Sequence, residues 1–356
     1  LTTKKNNEVI ISGFDEHVFL VVNLSSVGLD SENSGLHLSN TMATTASFSV
    51  SDLSDSFIPD FVSINDGGGI KKNQFSQFLS GSNFSVAASV DDPVDENTPS
   101  FTITVRTLDD SLDDSYNIIT ENLVVEKKYG DAQSKCLIYV EQGYTGFSDW
   151  DDIGQEFDDK IYPVADQFIP DSISFNSDFL DIDGNDKIIL IYYNVGVDQV
   201  GGMVIITDLL DEGSINAYNE LNPSDAQPFI KKDVLYLNTA LLSDFDKNYA
   251  TIAHEFQHLV SNHLKIHQSD GGVFTQFDLW IEEGLAESAA DIYCKEKDKA
   301  NNFIRSKNLD VLHNSGDIAN GEGFIYWNQK IENYALSYLF FQYLRIHSNL
   351  GLDFYR

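Results

Sequence analysis

Basic residues are scarce in this chain. Its 356 residues include 22 Lys and Arg against 56 Asp and Glu, a formal net charge of −34. Such a polyanion is repelled by nucleic-acid phosphates and by anionic membrane surfaces, so both are discounted as partners, and it attracts divalent cations. Cysteine is nearly absent. Cys136 and Cys294 form no CxxC or CxxxC pair, which excludes a thiolate zinc site and a disulfide framework. One long-range disulfide or two buried thiols remain, and the sequence leaves these two open. No run of about 18 apolar residues occurs, so no helical membrane span is expected. No GxSxG occurs, so a serine-hydrolase elbow is unsupported. No signal peptide is visible, and the chain opens on Leu1 rather than Met. The expectation is a secreted or cell-surface protein whose signal or anchor has been removed, with more of the protein following Arg356.

What is present is a folding composition. Hydrophobic residues at 42% and aromatic residues at 12% are enough to build cores, and the length exceeds one ordinary core, so two domains are expected. Residues 1–105 read as a β-sandwich-like module. Short apolar runs recur at Val9-Ile10-Ile11, Val18 to Val22, Phe48-Ser49-Val50, Phe84-Ser85-Val86 and Phe101 to Val105. Turn-forming clusters such as Asn65-Asp66-Gly67-Gly68-Gly69 separate them. Residues 91–100, with two prolines and four acids, read as a linker or long loop. From residue 106 strands and helices mix, as in an α+β catalytic domain over 106–356. Strands are expected at Lys135–Glu141, Lys187–Tyr193 and Asp233–Leu237. Helical spacing appears at Phe157–Phe168, Tyr249–Leu264, Trp280–Lys295 and Tyr334–Ile346.

The chemistry concentrates in Ala253-His254-Glu255-Phe256-Gln257-His258, an HExxH motif. Two imidazoles four residues apart share one helix face and reach one ion. Zinc accepts imidazole nitrogens, and a catalytic zinc takes three protein ligands and a water. The Glu after the first His is placed to accept the proton of that water. Ile252, Phe256, Leu259 and Val260 give the helix an apolar surface to bury. A metzincin would place a Gly at position 261 and its third ligand at 264, but Ser261 and Leu264 stand there. His263 is one residue early and points off the ligand face, so it reads as an exposed or capping His. A carboxylate of Trp280-Ile281-Glu282-Glu283-Gly284 completes a His-His-Glu set from a second helix, and spacing alone admits Glu282 or Glu283. Glu287 lies one turn beyond Glu283 and can orient a ligand His, with Asp291 a turn further.

The Trp-x-x-Glu-Gly segment resembles that of the gluzincin class, in which the Glu before the Gly is the ligand. That implies Glu283. More widely, the chain resembles the hyicolysin family of bacterial zinc metallopeptidases, through residues 253–260, 280–287 and 333–344. Weaker likeness at 183–193, 201–203 and 234–239 extends it over roughly residues 130 to 356. The chain departs from relatives at Glu282, where Asn is common, and at Ala335, where Gly is common. The resemblance implies a zincin-type fold, a secreted or surface endopeptidase and one catalytic Zn2+ on His254, His258 and Glu283. It also implies Glu255 as general base and a protein or peptide as substrate. A monomer is expected. Tyr334, opening a late helix where gluzincins often carry a Tyr or His, is the candidate oxyanion donor. Tyr338 lies one turn along.

Asp181, Asp183 and Asn185 resemble the start of a Ca2+ loop. An EF-hand needs Gly and Glu where Asp186 and Tyr192 stand, so a turn before a strand is preferred. Two rival readings are a latent or inactive zinc-binding surface protein acting as an adhesin, and a zymogen covered by residues 1–105. The intact Glu255 argues against inactivity.

Overall fold

A computed structural model of the chain describes residues 94–111, 115–171, 173, 177–197, 200–221, 227–268, 278–297, 302–315 and 331–356, with five short backbone strands among the first fifty residues. Those strands are β1 (Thr2–Lys4), β2 (Glu8–Ile11), β3 (Phe19–Val21), β4 (His37–Ser39) and β5 (Ala46–Ser49). They pair antiparallel in the orders β1-β2-β5 and β3-β4. The runs expected at Val9–Ile11 and Val18–Val22 fall on β2 and β3. Phe84–Val86 and the Asn65–Gly69 turn lie outside the described residues.

The rest is a mixed α+β unit on a six-stranded sheet. Its strands are β6 (Ser100–Ser111), β7 (Ser115–Tyr129), β8 (Cys136–Glu141), β9 (Ile188–Tyr193), β10 (Gly202–Met203) and β11 (Val234–Asn238), in the order β10-β11-β9-β8-β7-β6. β8, β9 and β11 are parallel, while β6, β7 and β10 join antiparallel. The central three are apolar almost throughout because both faces are covered. Side-chain alternation divides them into two cores. Ile138, Val140, Leu190, Tyr192, Leu235 and Leu237 face the helices. Leu137, Tyr139, Ile189, Ile191, Tyr193 and Tyr236 face the other way, under Val94, Val195 and Val200. The division between residues 105 and 106 falls inside β6, whose pairing with β7 runs unbroken from Ser100 to Ser111.

Among the described residues the α-helices are α1 (Trp150–Glu156), between β8 and β9, α2 (Glu212–Leu221), between β10 and β11, and then α3 (Phe245–Gln268), α4 (Leu279–Lys297), α5 (Phe303–Ser315) and α6 (Ile331–His347). The segment expected as one helix over 157–168 differs in kind. It continues α1 as a π turn over Phe157–Ile161 and then as a 3-10 stretch over Tyr162–Phe168. Pro163 has no N–H to give to the carbonyl of residue 159, so the α-ladder cannot run through it. The apolar spacing still works: Phe157, Ile161, Val164, Ala165 and Phe168 are all buried. α3 buries Ile252, Phe256, Leu259 and Val260. α4 and α6 approach closely at Gly284, where a Cβ would stand 2.4 Å from the Phe341 ring.

Cys136 and Cys294 are two separate buried thiols, which settles the choice the sequence left open. Burial, with Asp158 adjacent, pushes the Cys136 thiol far above its ordinary range, so it is not a nucleophile. Among the described residues no helix is long and apolar enough to cross a membrane.

Candidate metal centre

α3 and α4 pack as neighbours, with rising positions on α3 meeting falling positions on α4. This brings His254, His258 and Glu283 into one group able to hold a metal ion. His254 Nε2 lies 3.2 Å from His258 Nε2 and 3.2 Å from Glu283 Oε2. His258 Nε2 lies 3.5 Å from the same carboxylate oxygen. Donors about 2.0–2.1 Å from a tetrahedral zinc lie about 3.3 Å from one another, so three imidazole and carboxylate atoms at these separations fit that ion. All three side chains are buried. Glu255, between the two histidines in sequence, is wholly buried as well.

The electrostatics follow from this crowding. Burial opposes charge on His258, but Glu283, Glu282 and Glu255 outweigh it and raise its pKa to about 10. Burial prevails at His254, and the neighbouring His258 adds to it, so that pKa is lowered. Burial likewise opposes ionisation of Glu283, yet the two imidazoles hold it at about 2. Glu283 is therefore an anionic donor.

Each histidine also has a carboxylate near its other ring nitrogen. Glu287 Oε1 is 3.6 Å from His254 Nδ1. It is held there from α5, by Lys307 Nζ at 2.9 Å and by Asn308 Nδ2 at 2.7 Å on the second oxygen. Glu282 Oε2 is 3.7 Å from His258 Nδ1, while its other oxygen pairs with the Lys265 ammonium. From the sequence Glu287 is expected beside a ligand His and Glu282 is open only as an alternative ligand, while Lys265, Lys307 and Asn308 have no role. One signal was available. Lys265 follows His258 by seven residues, two turns along the same helix face, where a lysine on a buried stripe requires a partner.

Asp291 accepts from Asn302 Nδ2 at 2.7 Å, ahead of α5, and from the Tyr338 hydroxyl of α6 at 3.2 Å, and it pairs with Lys295 on its own helix. Tyr338 is thereby a packing and tethering residue. Tyr334 is half-buried on α6, one turn earlier. His263, expected to be exposed or capping, is buried instead, with Nε2 2.5 Å from Asp233 Oδ1 and its ring against Phe179. Asp233 immediately precedes β11, which α3 covers, so a residue off the ligand face meets the sheet rather than solvent.

The 181–186 segment is a turn, as preferred. Asp181 Oδ1 accepts from the backbone of Gly184, Asn185 and Asp186 at 2.7, 2.8 and 3.2 Å. Asn185 Oδ1 accepts from Lys187 N at 2.6 Å. The carboxylates that cluster are Asp181, Asp183 and Asp233, not Asn185. The calcium expectation gains no support, because turn hydrogen bonds already account for Asp181 and Asn185. Burial, then repulsion from Asp233, raises the Asp183 pKa to about 7. Its folded pKa exceeds the unfolded value of 3.8, so the cost of ionising it is absent below about pH 4 and complete above about pH 7. Asp183→Asn should therefore be more stable than wild type at pH 8 in chelator, with the gap closing as pH falls through that window. Thermal unfolding at stepped pH checks this. An unchanged or lower Tm at pH 8 would contradict it.

No protein-family model matches the chain. The chain is similar to the neutral metalloprotease ShpI of Staphylococcus hyicus, with 30% identity over 233 residues. That alignment covers 60% of this chain and 46% of the relative, so the chain spans about half the length of the curated protein it matches.

Proposed function

We propose that this chain carries a zinc-dependent endopeptidase of the gluzincin, hyicolysin-like type, in which His254, His258 and Glu283 hold one zinc and Glu255 is the general base. The observation that carries the reading is the convergence of three buried donor atoms, from two helices, at 3.2–3.5 Å. Similarity to a neutral metalloprotease supports peptide-bond hydrolysis as the reaction. When bound, zinc supplies Lewis acidity, activating a water near neutral pH and polarising the scissile carbonyl. The chain's own residues do the rest. Glu255 accepts the water's proton and passes it to the departing amine. Glu287 and Glu282, 3.6 and 3.7 Å from the outer ring nitrogens of His254 and His258, would orient those rings by charge. Tyr334 is the proposed donor to the developing oxyanion.

The substrate is a protein or peptide. β10 ends the six-stranded sheet, and Gly202 in it abuts Glu255. An extended peptide pairing along that edge would bring its carbonyls to the centre. The reading includes action as a monomer, a secreted or cell-surface location, and an N-terminal module preceding a catalytic unit that begins no later than β6 at Ser100.

Elemental analysis of wild type and His258→Ala, with cleavage of unfolded casein, tests the reading. One zinc per chain and cleavage in wild type are expected, with both lost in the variant. A wild type that takes up no zinc on reconstitution would refute it.

A further inference from the structure

We propose that Gly202 seats the general base: the missing side chain at this position sets where the Glu255 carboxylate lies, which makes Gly202 a positioning residue. The inference rests on Glu255 being the base, as proposed above.

Gly202 is buried in β10. Its backbone φ lies outside the left-handed region, so conformation alone does not demand a glycine. The demand is steric. A Cβ built on Gly202 would stand 2.7 Å from Glu255 Cγ and 3.2 Å from Glu255 Cδ, the carboxylate carbon. On another side the Tyr236 carbonyl oxygen would be 3.1 Å away. Other glycines make room for packing groups: Gly154 for the Tyr129 ring and Gly284 for Phe341. Gly202 makes room for the side chain assigned the proton transfer.

Neither backbone can retreat to relieve an added methyl. Gly202 is registered against Leu237 of β11. The preceding segment is clamped by Asn238, whose N donates to the Gly201 carbonyl at 2.8 Å. The Asn238 side-chain amide donates to the carbonyls of Val197 and Val200, both at 2.8 Å. On the other side Glu255 is anchored in α3 between Ile252, Phe256 and Leu259, all in the main core. What remains to yield is the Glu255 side chain, and its rotation displaces the carboxylate from the metal centre. Misplacement of a catalytic group by about 1 Å costs on the order of 10²-fold in rate.

The test is a double-mutant cycle of Gly202→Ala and Glu255→Ala in the full chain. It is followed by thermal unfolding, zinc content and casein cleavage. In the wild-type background G202A should lower Tm by about 4 °C, because an added methyl overpacks the contact. In the Glu255→Ala background, where the Cγ is gone, the same substitution should cost nothing measurable. G202A alone should keep one zinc and lower kcat about 10²-fold, with KM within about twofold. Folding of G202A only when Glu255 is truncated would support the contact equally. An equal Tm loss or equal loss of folding in both backgrounds would assign the clash to the Tyr236 carbonyl and overturn the proposal. An unchanged kcat in zinc-loaded G202A would overturn it too. A wild type that holds zinc but never cleaves casein would overturn the peptidase reading and the catalytic part of this one, while the Tm cycle would still decide the contact.

Discussion

Replacing Glu255 with Gln should leave one zinc bound per chain and lower kcat/KM for casein about 10³-fold, within the usual span for removal of a general base. The substitution is nearly isosteric, so the space that Gly202 leaves remains filled and α3 keeps its packing. The donor atoms of His254, His258 and Glu283 lie 3.2–3.5 Å apart without any contribution from residue 255, so metal content should not change. An amide cannot take the proton from water or return it to the amine. The loss should therefore appear equally in kcat and kcat/KM, as for an interaction made only in the transition state. Removing a ligand gives a different pattern. His258→Ala loses zinc and activity together, and added zinc restores neither. Glu255→Gln protein that cleaves within about twofold of wild type, with zinc bound, would remove Glu255 from the mechanism.

The parts of the fold and centre that could be read from the sequence are those where one local signal is enough. α3 carries both a helical apolar stripe and the HExxH spacing, and helix geometry alone puts its two histidines on one face. β8, β9 and β11 are continuous apolar runs with nowhere to go but the centre of a sheet. β10 could not be seen, because two residues have no period, yet it carries the glycine that abuts Glu255. The long β6–β7 hairpin was legible only at Phe101–Val105. Beyond that the strands carry acids and amides such as Asp109, Asp110 and Asn117, which ordinarily signal turns. His263 is buried against expectation because helical phase says which way a side chain points but not what it meets, and Asp233 meets it from another element. For the same reason the sequence leaves Glu282 only as an alternative ligand and does not show its partner. Two adjacent acids look interchangeable until the opposite helix supplies a lysine to one and two imidazoles to the other.

That lysine carries the largest expected effect on stability. Lys265 is 3% exposed and Glu282 is wholly buried, and the two are paired inside the α3–α4 interface. Burial outweighs the pull of Glu282 and lowers the Lys265 pKa, a sign that the ammonium has little water left to solvate it. Lys265→Met keeps the length and apolar stem of the side chain and leaves the Glu282 carboxylate without its counter-ion. Breaking a buried pair from one side costs about 3–5 kcal/mol, because the remaining charge is uncompensated. Urea unfolding should show this loss in the metal-free protein, where zinc cannot mask it. Adding Glu282→Gln to Lys265→Met should recover most of the loss, since the destabilising element is the orphaned charge rather than the lost attraction. A loss below about 1 kcal/mol would mean the pair is solvated and carries nothing. The same variants separate a structural role from an orienting one. If Glu282 also holds the His258 ring, the double variant should regain stability yet bind zinc about 10–100-fold more weakly, because its amide no longer presents a carboxylate to His258 Nδ1.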